Sequence, residues 1–144
     1  MKVIAIIKGH PRPQPRPRFI KGRAVSCADP LAAAWKAKIK AAVSQIPLEL
    51  PKGPLSCSMW FRMPTKDAAR FDKAHTQVPD LDNLAKLVLD AIQDTGLLVN
   101  DSQVAKLSLD KTWAPLDQSG VLVELESWKP QPGQVDLPRP DWLN

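Results

Sequence analysis

The residues with the plainest chemical potential in this 144-residue chain lie in one stretch, PDLDNLAKLVLDAI, residues 79–92. Asp80 and Asp82 stand one residue apart at a proline turn, immediately before the apolar stripe of a helix. In an extended approach residues i and i+2 point the same way, so the two carboxylates share a side. At ~4 Å two such charges repel by about 4 kcal/mol at an effective dielectric of roughly 20. A divalent cation between them turns that repulsion into attraction. The competing reading, Asp82 capping the free N–H groups of the first helical turn, accounts for only one acid. Lys86 lies one turn beyond Asp82 on the polar face with Asn83 and Asp90, placed to reach back to the acids or to aim at a phosphate. A third acid, Asp101, follows in LLVNDSQV at the start of an expected strand. It meets the helix start only if the connection through Gly96 carries the chain back alongside.

Charge supplies the second clue. The chain has a net charge of +5 and a pI of about 9.4, but the excess is segregated. Residues 1–23 hold Lys2, Lys8, Arg12, Arg16, Arg18, Lys21 and Arg23 and no acid, whereas the remainder has more acids than bases. A basic arm of this kind suits a polyanion, nucleic acid first and a membrane surface second; charge alone is equally compatible with a role in solubility. Other chemistries lack their signatures. There is no Gly-rich phosphate loop, no nucleophile elbow and no Cys/His zinc pattern, and the Asp-x-Asp lacks the glycine and distal glutamate of a calcium loop. No apolar strand runs directly into Asp80, which argues against an aspartyl-phosphate enzyme. The longest N-terminal apolar run, Val3 to Ile7, is too short for a signal peptide or membrane span. Cys27 and Cys57 have no metal-type spacing and are expected as reduced thiols of a cytoplasmic protein.

The elements that must position these residues follow from periodicity. KVIAIIK (2–8) reads as a strand buried on both faces. GHPRPQPRPRF then forbids helix and central strand, leaving an extended loop on which Arg12, Arg16 and Arg18 ride. Asp29 and Pro30 start a helix, PLAAAWKAKIKAAVSQI, with Ala34, Trp35, Lys38, Ile39, Ala42, Val43 and Ile46 on one side. LSCSMWFRM (55–63) alternates as a half-buried strand, with Trp60 on its polar side expected to pack at an edge. Residues 64–79 have no period and are expected to form a mobile loop in which His75 is solvated. Leu84, Leu87, Val88, Ala91 and Ile92 give the second helix its stripe. Strands are expected near 104–113 and 120–128. The domain is thus α+β, a small mixed β-sheet flanked by two helices in the order β-α-β-α-β-β, spanning 1–129. It carries a basic proline-rich loop at 11–23 and a poorly ordered proline-rich tail at 130–144.

In combination, DLDNLAKLVLDAI followed by GLLVNDSQV resembles the RusA family of Holliday junction resolvases, and the element order extends that resemblance over most of the chain. The matching positions are Asp80 to Leu84, Lys86, Asp90-Ala91, Gly96 and Asp101 to Gln103. The resemblance implies a homodimeric, bacterial or phage-encoded endonuclease. Its metal ligands would be Asp80, Asp82 and Asp101 and its essential lysine Lys86, with Mg²⁺ as cofactor, Mn²⁺ as a substitute and no small-molecule cofactor. It also implies paired symmetric nicks in four-way DNA. The family often sets several arginines directly before its Asp-Leu-Asp; here the approach is AHTQVPD. DNA binding is therefore assigned to Arg12, Arg16, Arg18, Lys21 and Arg23 of the arm, with Arg70 and Lys73. The alternatives are a catalytically silent, structure-selective DNA-binding protein, a nuclease for flaps, forks or other branched DNA, and a structural phage protein.

Overall fold

In the computed structural model, residues 2–25, 29–47, 49–133 and 138–143 are described, without the side chains of Arg18 and Leu143. Strand β1 (Lys2–Lys8) leads through the proline strap to a small hairpin, β2 (Arg18–Ile20) and β3 (Arg23–Val25), followed by helix α1 (Pro30–Ser44). Then come β4 (Leu55–Pro64), α2 (Leu81–Asp94), β5 (Val104–Ala114) and β6 (Gly120–Ser127). The four long strands form one sheet in the order β1-β6-β4-β5. β6 runs antiparallel to β1 and β4, while β5 runs parallel to β4 with Met59 opposite Leu109. The fold is α+β with a mixed sheet and two helices, as the periodicities predict; the hairpin within the basic arm is an addition.

Both helices lie on one face of the sheet. Val3, Ile7, Cys57, Met59, Phe61, Val121, Val123 and Leu125 point there and meet Trp35 and Ile39 of α1 and Leu84 and Val88 of α2. Fully burying each such side chain is worth about 1.5–3 kcal/mol, so this layer carries the fold. α1 is seated by Asp29, whose carboxylate accepts from the N–H groups of Leu31 (3.0 Å) and Ala32 (3.3 Å). Its buried stripe is Ala32, Trp35, Ile39 and Val43, with Ala34 and Lys38 turned outward.

The other face is open, and this corrects two expectations. β1 is buried on one face rather than both: Ile4 and Ile6 are 51% and 65% exposed, since among the described residues no helix covers that surface, and β1 also lies at the sheet edge. Trp60 sits on the same open face, on a strand paired on both sides, and does not pack at an edge. Cys57 is a buried free thiol whose pKa burial pushes up to about 12, making it inert; Cys27 lies outside the described residues.

Residues 64–79 lack a period, yet they are tied to the outer edge of β5. Trp113 N–H donates to Lys73 O (2.9 Å), Asp72 N–H to Trp113 O (3.0 Å) and His75 N–H to Lys111 O (3.0 Å). Backbone groups of an edge strand need partners, and this segment supplies them. His75 is consequently buried, not solvated, with its ring centroid 4.1 Å from that of Trp113. Within the tail, residues 134–137 lie outside the described residues and Asp141–Leu143 form a 3₁₀ turn.

Candidate active site

Helix α2 begins at Leu81, which makes Asp80 the N-cap residue and places Asp82 in the first turn. The competing reading of Asp82 as the cap therefore does not hold: the carbonyl of Asp80 already accepts the first intrahelical bond, from Leu84 N–H at 3.1 Å. The Asp80 side chain makes no capping hydrogen bond either. Asp29 shows what a capping aspartate looks like in this chain, and Asp80 is unlike it. Both carboxylates at the start of α2 are exposed, that of Asp82 at 77%. They are available to an external ligand.

The turn after α2 brings in the third acid. Asp101 N–H donates to Gln93 Oε1 at 2.9 Å, tying the turn to the last part of α2. Asn100 and Gln103 form a reciprocal capping box around a short 3₁₀ turn (Asp101–Gln103). Gln103 Oε1 accepts from Val99 N–H (3.0 Å), and its amide donates to the carbonyl of Lys52 (3.1 Å). Held in this way, Asp101 Oδ2 lies 3.7 Å from Lys86 Nζ. Lys86 also donates to Asp90 Oδ1 at 3.3 Å. Lys86 thus reaches along its helix to Asp90 and across to Asp101, rather than back to Asp80 and Asp82. The hydrogen bond and charge of Asp90, with Asp101 adding to them, raise its pKa, so it is an ammonium at neutral pH.

The basic arm is lashed to the same helix start. Gln14 N–H donates to Asn83 O (3.1 Å), and Arg16 donates to Asn83 Oδ1 through Nη2 (2.9 Å) and Nε (3.2 Å). Arg16 Nη2 also stands 3.9 Å from Asp82 Oδ2. A cleft of about 370 Å³ opens between the strap and the 78–80 turn, with Arg12 and Asp80 among its walls. Lys21 and Arg23 are exposed on the hairpin beyond; the side chain of Arg18 lies outside the described residues. Arg70 sits over the Trp113 ring, 5.1 Å from its centroid, and pairs with Asp67 at 3.5 Å. Lys73 is exposed on the segment that edges β5. Burial lowers the pKa of His10, at the strap's start, and the charge of Arg12 lowers it further.

A family model, Endodeoxyribonuclease RusA, matches residues 8–126, a span that contains the strap, both helices and the acid-bearing turns. The chain belongs to the RusA family. RusA membership makes it an endodeoxyribonuclease and implies action on Holliday junctions. No curated protein matches the chain. Among the described residues, no helix is long and apolar enough to cross a membrane.

The fit of a divalent metal to this RusA-family site rests on the donors. Among the described residues, no three His, Cys, Asp or Glu side chains gather at one point; Asp82 stands beside Arg16 and Asp101 beside Lys86. Mg²⁺, however, is usually held by one or two carboxylates together with substrate phosphate oxygens and water, not by an all-protein cage. Two exposed carboxylates at a helix start, neither used as a cap, meet that requirement. Several supporting residues carry no sequence signal of their own: Gln93, His75, Trp113 and Lys111. Gln93 acts on the turn just after its own helix, and the others through contacts with partners more than thirty residues away.

Proposed function

We propose that the protein is a metal-dependent endonuclease that resolves four-way DNA junctions by paired symmetric nicks as a homodimer. The observation that carries this reading is the Asp80 carboxylate, set at the N-cap of α2 yet bonded to none of its N–H groups. Asp80 and Asp82 would hold Mg²⁺, or Mn²⁺ in its place, with Asp101, now beside Lys86, as the third ligand once substrate is bound; the metal would polarise the phosphoryl oxygen and acidify a bound water. Lys86, protonated, neutralises negative charge that develops on the phosphate as water oxygen bonds to phosphorus and the P–O3′ bond breaks. The products are a 5′-phosphate and a 3′-hydroxyl, the latter having taken up a proton. Arg12, Arg16, Lys21 and Arg23 of the strap and hairpin engage flanking phosphates, with Arg18, Arg70 and Lys73 in the same role, which makes affinity fall with salt. The open sheet face, with Ile4, Ile6 and Trp60 exposed, supports a self-complementary dimer surface, and two-fold symmetry matches that of a junction. Such a nuclease belongs in the cytoplasm of a bacterium, encoded there or by a prophage.

A second reading is a catalytically silent, structure-selective DNA-binding protein, favoured by the ion pairs that Asp82 and Asp101 already make with Arg16 and Lys86. One experiment separates the two. A synthetic four-way junction and a linear duplex of matching sequence are incubated with wild type and Asp82→Asn in Mg²⁺, Mn²⁺ or EDTA. Paired, metal-dependent nicks confined to the junction, lost in Asp82→Asn while binding is kept or improved, are the expected result. Tight junction binding without cleavage in any metal establishes the silent protein. Cleavage of flaps or forks in preference to junctions redirects the substrate.

A further inference from the structure

Lys111 belongs to β5, opposite Phe61 of β4, and so points to the helix-covered side of the sheet. It is half-buried there, beneath the segment that leads into Asp80. Its ammonium donates to the carbonyls of Gln77 at 2.8 Å and Pro79 at 2.7 Å. Those carbonyls flank Val78, whose side chain is 83% exposed and offers no packing of its own. The backbone carbonyl of Lys111 meanwhile accepts from His75 N–H at 3.0 Å. One residue therefore fixes the incoming chain at three points: its backbone at residue 75, and its charge at 77 and 79, directly before the acid.

We propose that Lys111 is a positioning residue that sets the Asp80 carboxylate by clamping the Gln77 and Pro79 carbonyls. The physical case is one of alternatives. Asp80 makes no side-chain hydrogen bond to the helix it precedes, so its carboxylate is placed by the path of the backbone before it, with the charge of Lys111 also attracting it. Residues 76–78 are exposed, and among the described contacts of residues 76–79 the two bonds from Lys111 are the ones to side-chain charge. Ammonium-to-carbonyl bonds of this length are charge-assisted and about twice as strong as neutral ones. A lysine suits the task because a slender stem can deliver three donors beneath a turn. Arginine retains charge and donors and should replace it in part; methionine retains the stem alone.

The inference rests on the metal-nuclease reading, and the test keeps the two apart. Wild type, Lys111→Met and Lys111→Arg are compared in Mn²⁺ binding followed by electron paramagnetic resonance without DNA, in junction binding in EDTA, and in nicking kinetics. Removal of a positive charge beside carboxylates by itself tightens Mn²⁺ binding; loss of the clamp loosens it. Lys111→Met should weaken Mn²⁺ binding on the order of tenfold and lower kcat on the order of 10–100-fold, with KM and junction affinity in EDTA within about twofold. Lys111→Arg should recover most of both losses. Mn²⁺ binding in Lys111→Met equal to or tighter than wild type overturns the clamp while leaving the metal reading intact. A parallel loss of Mn²⁺ binding, junction affinity and thermal stability also overturns it, since that marks a merely structural residue. Wild type that nicks no junction in Mn²⁺ or Mg²⁺ overturns the metal reading and the clamp with it.

Discussion

Gln103→Ala tests how far the site depends on the turn that carries Asp101. The side chain works in both directions: Oε1 accepts from Val99 N–H (3.0 Å) and Asn100 N–H (3.4 Å), and Nε2 donates to the carbonyls of Pro51, Lys52 and Gly53 at 3.4, 3.1 and 3.4 Å. These groups lie near the surface, so water replaces part of what is lost, and each of the two stronger bonds is worth about 0.5–1 kcal/mol net. The expected destabilisation is about 1–2 kcal/mol, and for a chain of this length that lowers Tm by roughly 3–6 °C. Asp101, freed from its capping box, should lose its place near Lys86, and nicking should fall on the order of 10–100-fold. The assays are thermal unfolding, junction affinity in EDTA and nicking at a temperature well below both midpoints. Affinity should stay within about twofold, because the basic arm is untouched. Unchanged nicking in a variant with the expected Tm would refute the reasoning, since it would show that the position of Asp101 does not matter to the reaction.

Three further outcomes are expected. Gly120→Ala should abolish or severely reduce folded protein, measured by soluble yield and circular dichroism, because φ is +148° and a Cβ there collides with the Ile7 carbonyl oxygen of the neighbouring strand. Burial lowers the pKa of His75, and the charges of Lys111 and Arg70 lower it further. The folded state therefore holds fewer protons there than the unfolded state, and stability present above the ordinary histidine pKa is lost as pH falls through and below it; denaturant midpoints should show that acid-side loss reduced in His75→Gln. Arg16→Gln removes one cation from the strap, so the slope of log affinity against log salt for junction binding should shrink by about one, and an unchanged slope places Arg16 off the DNA.

Local pattern alone determined much of this protein. The spacing of Leu84, Leu87, Val88, Ala91 and Ile92 defined α2 because a helix of 3.6 residues per turn has a single way to bury that stripe. Asp29-Pro30 marked the start of α1, and the alternation of 55–63 marked β4, for equally local reasons. The acids, Lys86 and the basic arm were also legible, since their types and sequence neighbours carry the signal. Tertiary structure decided what those residues meet. The alternation of β4 is the same whether its polar side faces solvent or a partner, and a run such as KVIAIIK is the same for a strand covered on one face or on both; only the packing of both helices on the opposite face leaves Ile4 and Ile6 exposed. The aperiodic stretch 64–79 is held by backbone bonds to β5, and backbone groups leave no mark in the sequence. Lys86 had several carboxylates within reach along the chain, and it was the return of the chain through Gln93 and Gln103 that gave it Asp101. Lys111 reaches Gln77 and Pro79 across more than thirty residues, as its contact separations of 34 and 32 record. Hydrogen-bond chemistry fixes which atoms can pair, but the folded path of the chain fixes which of them come within 3 Å.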